Sequence, residues 1–312
     1  MISPFEFSND NKRYYTFNYY LRKTYQSKVF KVSLNTNLSC PNRDGKVGVG
    51  GCSFCSNQGS GEFAGDIKDD LMKQFNEVKN KQHLKWPNAK YITYFQAFTN
   101  TYAPLALLKE MFEPFTNLDN VVALAIATRP DCLDEEKISY LNSLCDKVDV
   151  WIELGLQTTF DNTATNFNRG YDYQLFLETL DKLSKTKIKV CVHLINGLPL
   201  ETKEMMIENV KRISNLEIDA VKIHMLHIVS DSKWGQDYLR KPFPLLTLDE
   251  YVEIVVKQLR YLRKDIVVQR LTGDAKKENL LTPKWTLNKT NVLNSIDKYL
   301  AKNNYQQGDL NE

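Results

Sequence analysis

Apolar runs of strand length recur along the chain at 29–34, 91–95, 121–127, 148–154, 188–195 and 220–225. Helix-compatible stretches lie between them, at 66–81, 104–112, 134–144, 171–185 and 202–215. Strands alternating with helical patterns predict a parallel sheet built from βαβ units. After the sixth run, Pro242, Phe243 and Pro244 mark the best boundary, and 248–263 reads as one amphipathic helix. The expected fold is α/β: a six-stranded partial (β/α)6 barrel of the TIM type with a helical, basic C-terminal extension. Its parts would be an N-terminal basic, tyrosine-rich segment (1–28), the partial barrel (29–241) and the extension (242–312).

In such a barrel the active site gathers where strands end and βα loops begin. The polar residues expected there include Asn35, Asn37, Gln96, Thr128, Arg129, Glu153, Gln157, Asn196 and His224. Polar groups placed repeatedly beside buried strand ends have no packing use, so they suggest a polar ligand at the barrel mouth.

Composition narrows the class. With 312 residues, 42% hydrophobic and 25% charged, the chain is of ordinary globular make-up, which excludes disordered, collagen-like and coiled-coil readings. Its longest uncharged run, 91–108, contains Gln96, Asn100 and Pro104 and does not read as a membrane span. The first fifteen residues lack the apolar core of a signal peptide, so a cytoplasmic location is expected and no membrane partner.

The net charge of +3 is unevenly spread. Residues 1–60 carry eight Lys and Arg against three Asp and Glu, and 257–302 carry eleven against four. Basic ends around an acidic middle suit a polyanion, because neutralising phosphates supplies sequence-independent affinity. Lys12, Arg13, Arg22 and Lys23 interleave with five tyrosines, a pattern that serves phosphate contact and base stacking or, equally, a helix packed on the barrel. Arg270, Lys276 and Lys277 are further phosphate candidates.

Six cysteines in such a chain are not a disulfide framework. Cys132, Cys145 and Cys191 stand singly in or beside apolar segments and read as small buried hydrophobes. Cys40, Cys52 and Cys55 are clustered, in a segment (37–65) that holds seven of the thirteen glycines. Three soft thiolates suit an iron–sulfur cluster or, with a recruited fourth ligand, zinc; a metal-free loop is the remaining reading.

Phe54 precedes the last cysteine, and further motifs follow in order: Gln96 within 94–102, Ala127–Asp131, Glu153–Gln157, Asn168–Gly170, Gly197–Pro199 and Gln269–Gly273. This collinear set closely resembles the radical S-adenosylmethionine (radical SAM) superfamily, in its Elp3-like branch and bacterial YhcC/YtqA-type subfamily, over almost the whole chain. The resemblance implies that Cys40, Cys52 and Cys55 hold a 4Fe–4S cluster whose fourth iron is chelated by S-adenosylmethionine. Phe54, Gln96, Thr128, Glu153, Gln157, Arg169 and Gly197 would then contact that cofactor: Glu153 its ribose or amine, Arg169 its carboxylate, Gly197 its adenine. It also implies a tRNA substrate and an electron donor such as flavodoxin or ferredoxin.

The implied reaction acts on wobble uridine. It converts 5-carboxymethylaminomethyluridine, or its 2-thio form, to the 5-aminomethyl nucleoside by hydrogen abstraction and loss of the carboxymethyl group. The alternatives are carboxymethylation of uridine as in Elp3 and a zinc-stapled RNA-binding adaptor without catalysis. Elp3 carries an acetyltransferase domain after its radical domain, and the residues after 263 are too few to supply one.

Overall fold

The protein is described from a computed structural model, which covers residues 5, 6, 10 and 12–311. The other N-terminal residues of the expected basic segment lie outside the described ones. The described residues form nine strands: β1 (Val29–Leu34), β2 (Lys90–Phe95), β3 (Val121–Thr128), β4 (Asp149–Gln157), β5 (Lys189–Asn196), β6 (Ala220–Met225), β7 (Ile228–Val229), β8 (Val267–Arg270) and β9 (Leu280–Thr282). Seven of them make one parallel sheet in the order β1-β2-β3-β4-β5-β6-β8. β7 and β9 form a separate antiparallel pair.

Sequential order with helical crossovers curls the sheet into the expected partial barrel. It has one strand more than expected. β8 is only four residues long and half of it is polar, too short a pattern to distinguish from the helix before it.

Alternation along each strand divides the side chains between two cores. Val32, Leu34, Phe95, Leu124, Ile126, Ile152, Val192 and Ile223 face outward into the larger core beneath the helices. Val29, Ile92, Ala123, Trp151, Cys191, Ala220 and Val267 face inward and form a second, smaller cluster. The helix Phe17–Tyr25 completes that inner cluster with Leu21, Phe17, Tyr20 and Tyr25. It begins at Thr16, whose hydroxyl accepts from the Tyr19 N–H at 3.1 Å. It contacts both edge strands, β1 and β8, and so covers the open side of the sheet.

Trp151 anchors this floor, edge-on to Phe17 and Tyr20 at centroid distances of 6.0 and 5.6 Å. Tyr25 donates its hydroxyl to Asp149, at the start of the same strand. Tyr15, Tyr20 and Tyr25 of the N-terminal segment thus pack the end of the barrel where strands begin, while Tyr14 joins the outer core. Truncating Trp151 to Ala would cost about 3–5 kcal/mol.

Helix boundaries move from the expected ones where caps decide them. The helix expected from 66 begins at Leu71, because the Asp70 carboxylate accepts from the Lys73 N–H at 2.8 Å. The one expected to stop at 112 continues to Thr116 despite Pro114.

Candidate active site

The loop after β1 returns to the strand ends carrying Cys40, Cys52 and Cys55, all three free thiols. A tight turn joins the close pair, with the Cys55 N–H donating to the Cys52 carbonyl at 2.9 Å. Gly51 sits at φ +84°, and a Cβ there would lie 2.9 Å from Arg43 Nε. Only glycine fits that position without moving the arginine. Arg43 in turn donates to the Ser56 carbonyl and holds the loop against itself.

The three cysteines line one cavity of about 240 Å3 at the strand ends. Phe54, Gln96, Thr128, Glu153, Gln157 and Arg169 line the same cavity, although the chain separates them by more than a hundred residues. Gly197 is not among the lining residues. It is a left-handed turn (φ +88°) against Leu246 and Leu226, so the expected approach to adenine lacks support from its position.

Burial pushes the Cys52 thiol up to about 12, with Cys55 adding to the effect, and burial also raises Cys55 against the pull of Arg43. Neutral thiols packed beside each other are a costly place to form thiolates unless a cation compensates them. Among the described residues, no three His, Cys, Asp or Glu side chains converge closely enough to hold a single ion. A cubane cluster gives each thiolate its own iron, so its ligands stand further apart than those of one zinc ion. The donor set therefore fits an iron–sulfur cluster better than the zinc staple.

The remaining side chains show how the cavity wall is built. Phe54 packs on Phe167 and Trp234 at 5.3 and 6.2 Å. Gln96 donates to the Ser60 carbonyl at 2.7 Å, pinning the cysteine loop to β2. Thr128 shares a hydrogen bond of 2.6 Å with Thr101. Gln157 ends β4 at φ +63°, where pairing with β5 slips register.

Arg169 is 1% exposed, and its fork is turned inward. It donates to the carbonyls of Leu156, Thr158 and Tyr171 at 2.8, 2.6 and 2.9 Å and to Asp161 at 3.0 Å. Those bonds occupy four of the five N–H directions of a guanidinium. The expected fork for a cofactor carboxylate is therefore spent on shaping the exit of β4, and Arg169 reads as a positioning residue.

Glu153 is likewise engaged from within. Its carboxylate receives Lys31 Nζ at 2.6 Å, His193 Nε2 at 3.0 Å and Lys222 Nζ. Burial alone would raise this carboxyl, but Lys222 and Lys31, aided by His193, hold it well below the usual range. Burial, only partly offset by Glu153, brings the Lys222 ammonium down to about 8. Burial, with Lys222 beside it, lowers His193 to about 4, so its imidazole is neutral near pH 7.

Lys31, His193 and Lys222 were not among the expected site residues, yet a signal for two of them exists. A lysine in the middle of an otherwise apolar strand, on the inward register, has no place in a covered sheet unless the inner face is polar. Asn196 goes the other way: it exchanges two 2.8 Å hydrogen bonds with Gln258 and serves helix packing.

The expected nucleic-acid contacts divide. Lys12 pairs with Asp297, and Arg13 donates to Asn304 at 3.0 Å. Arg22 and Lys23 are exposed on the floor helix, away from the strand ends that carry the cysteines. Arg270 lines the cavity and pairs with Asp274, while Lys276 and Lys277 follow in the loop leading to β9.

Two family profiles cover most of the chain: "Radical SAM superfamily" matches residues 18–213 and "Radical_SAM C-terminal domain" matches 218–302. This chain belongs to the radical SAM superfamily. It is 46% identical to YtqA of Bacillus subtilis (strain 168), over 98% of this chain and 95% of that one. It is 23% identical to the tRNA uridine(34) acetyltransferase of Methanocaldococcus jannaschii, over 58% of this chain and 33% of that protein. Among solved structures, the Methanocaldococcus infernus Elp3 with an N-terminal deletion superposes with a TM-score of 0.66 at 18% identity, covering 90% of this chain and 64% of that one.

The protein is thus a radical SAM enzyme, and its cofactors are a 4Fe–4S cluster and S-adenosylmethionine. Among the described residues, no helix is long and apolar enough to cross a membrane.

Proposed function

We propose that this radical SAM enzyme acts on tRNA, at the side chain on carbon 5 of the wobble uridine. It would oxidise the carboxymethyl methylene of 5-carboxymethylaminomethyluridine, or of its 2-thio form, by loss of a hydrogen atom and one electron. Water would then release the two carbons as glyoxylate and leave the 5-aminomethyl nucleoside, with S-adenosylmethionine reduced to methionine and deoxyadenosine. The observation that carries this reading is a single cavity that joins the three cysteines to a polar strand-end wall, in a chain related to a tRNA uridine(34) acetyltransferase.

When bound, the cluster and S-adenosylmethionine supply a deoxyadenosyl radical able to take hydrogen from unactivated carbon; orientation and exclusion of side reactions fall to the protein. Cys40, Cys52 and Cys55 would hold the cluster. Phe54, Gln96, Thr128 and Gln157 would border the cofactor, with Glu153 held in place by its lysines and Arg169 setting the turn behind it. Lys276 and Lys277 would meet phosphates beside the mouth. A flavodoxin- or ferredoxin-type donor would supply the electron, and the cytoplasm is where such a substrate is found.

The test is to incubate tRNA from a strain lacking this gene with the anaerobic, reduced holoenzyme and S-adenosylmethionine. Nucleoside mass analysis should show the carboxymethylaminomethyl nucleoside replaced by the aminomethyl one. Unchanged nucleosides alongside deoxyadenosine formation would refute the substrate assignment.

A further inference from the structure

Beyond Glu153, the inner wall of the cavity carries more positive than negative charge. Lys31 and Lys222 both pair with the single carboxylate of Glu153. Arg270 pairs with Asp274, but Asp274 is shared with Lys289. Four cations therefore share two carboxylates; Glu153, Asp274, Lys222 and Arg270 line the cavity together with His224, whereas Lys31 and Lys289 are outside its lining.

Donors are left over as well. Lys222 Nζ meets Glu153 and the Tyr94 hydroxyl, the latter at 3.4 Å, which leaves one of its three N–H groups unspent. Among the described residues, the His224 ring has no hydrogen-bonding partner; its nearest aromatic neighbour is His193, with centroids 5.6 Å apart. A half-buried imidazole and a lysine 7% exposed, both unspent toward one cavity, are costly unless a ligand completes them.

We propose that Lys222, His224 and Arg270 form a subsite for a carboxylate on the substrate's side chain. A carboxylate offers two acceptor oxygens to these donors and neutralises the excess charge. Burial of His224, with His193, Arg270 and Lys222 nearby, holds its imidazole neutral, so it donates without adding charge. The proposal rests on the reading above that a nucleoside enters this cavity, and it adds which group is recognised and by what.

The test compares two anticodon stem-loop RNAs bound to the holoenzyme with S-adenosylmethionine present. One carries 5-carboxymethylaminomethyluridine and the other its neutral methyl ester. The acid should bind roughly tenfold or more tightly than the ester, since a charge-assisted hydrogen bond is at stake. Arg270→Gln and His224→Phe should each shrink that ratio, and Lys222→Met should abolish it where it folds. Arg270→Gln and His224→Phe should keep wild-type affinity for S-adenosylmethionine. Equal binding of acid and ester, or undetectable binding of the acid, overturns the subsite. Lost cofactor affinity in these variants also overturns it, by assigning the cations to the cofactor's own carboxylate. Acid preference without conversion to the aminomethyl nucleoside would instead retire the reaction proposed above and keep the subsite.

Discussion

Lys31 on β1 donates to Gln269 on β8 at 2.9 Å, so the two open edges of the seven-stranded sheet meet through one hydrogen bond. The same ammonium reaches Glu153 at 2.6 Å on the central strand β4. One lysine thereby ties both rims to the middle of the barrel, directly above the tyrosine-packed floor.

Glu153→Gln should therefore be destabilising, because it leaves Lys31 and Lys222 facing each other without their counter-charge. Breaking a buried pair by removing one partner costs about 3–5 kcal/mol. The sign of the pH effect follows from Lys222, which is lowered to about 8 in the folded protein from 10.5. Between those values the unfolded chain binds more protons, so stability contributed at this site rises with pH. Glu153 raises Lys222, so the variant should shed that proton below pH 8 and recover part of its loss relative to wild type as pH rises toward 8. A deficit in denaturant unfolding that is independent of pH would contradict the role given to Lys222.

Cys40→Ser, Cys52→Ser and Cys55→Ser should each remove the iron–sulfur absorbance of anaerobically reconstituted protein. Cys132→Ala, Cys145→Ala and Cys191→Ala should keep it, because Cys191 lies in the floor cluster and neither of the others lines the cavity. Retained colour in a Cys40 variant, or lost colour in Cys145→Ala, would reassign the ligands.

Arg169→Ala should lower global stability rather than act on cofactor affinity alone. It strips donors from three backbone carbonyls and leaves a cavity where a side chain 1% exposed had been. Each stranded buried acceptor costs about 1–3 kcal/mol. Arg169→Lys cannot restore a planar fork and should recover little. Unfolding curves unchanged by Arg169→Ala would contradict the positioning role.

The alternation of strands and helices was enough to read the barrel from the sequence, because each strand's apolar run is covered by helices on its outer face. The three cysteines were legible for a different reason: their spacing and the surrounding glycines stand out from any packing pattern. The engagement of Glu153 and Arg169 was not legible, since Glu153 is satisfied by residues 40, 69 and 122 positions away and Arg169 mostly by backbone carbonyls that carry no side-chain signal. The tyrosines near the N-terminus were ambiguous in sequence and are decided by Trp151, which gives them an aromatic surface to pack on.

Affinity for tRNA should fall linearly with salt on logarithmic axes, with a slope set by the number of phosphate contacts. Lys276→Glu with Lys277→Glu should flatten that slope and weaken different tRNAs about equally. Arg22→Glu with Lys23→Glu should leave it unchanged, because those residues lie on the floor helix at the opposite end of the strands from the cysteines. The reverse ranking would move the RNA to the other end of the barrel.

The nucleosides of tRNA from cells lacking this gene bear most directly on the central claim. Mass analysis should find 5-carboxymethylaminomethyluridine, or its 2-thio form, accumulated and the aminomethyl nucleoside missing. The wild-type gene should restore the aminomethyl nucleoside, and a Cys40→Ser copy should not. A normal level of the aminomethyl nucleoside in the deletion strain would contradict the claim.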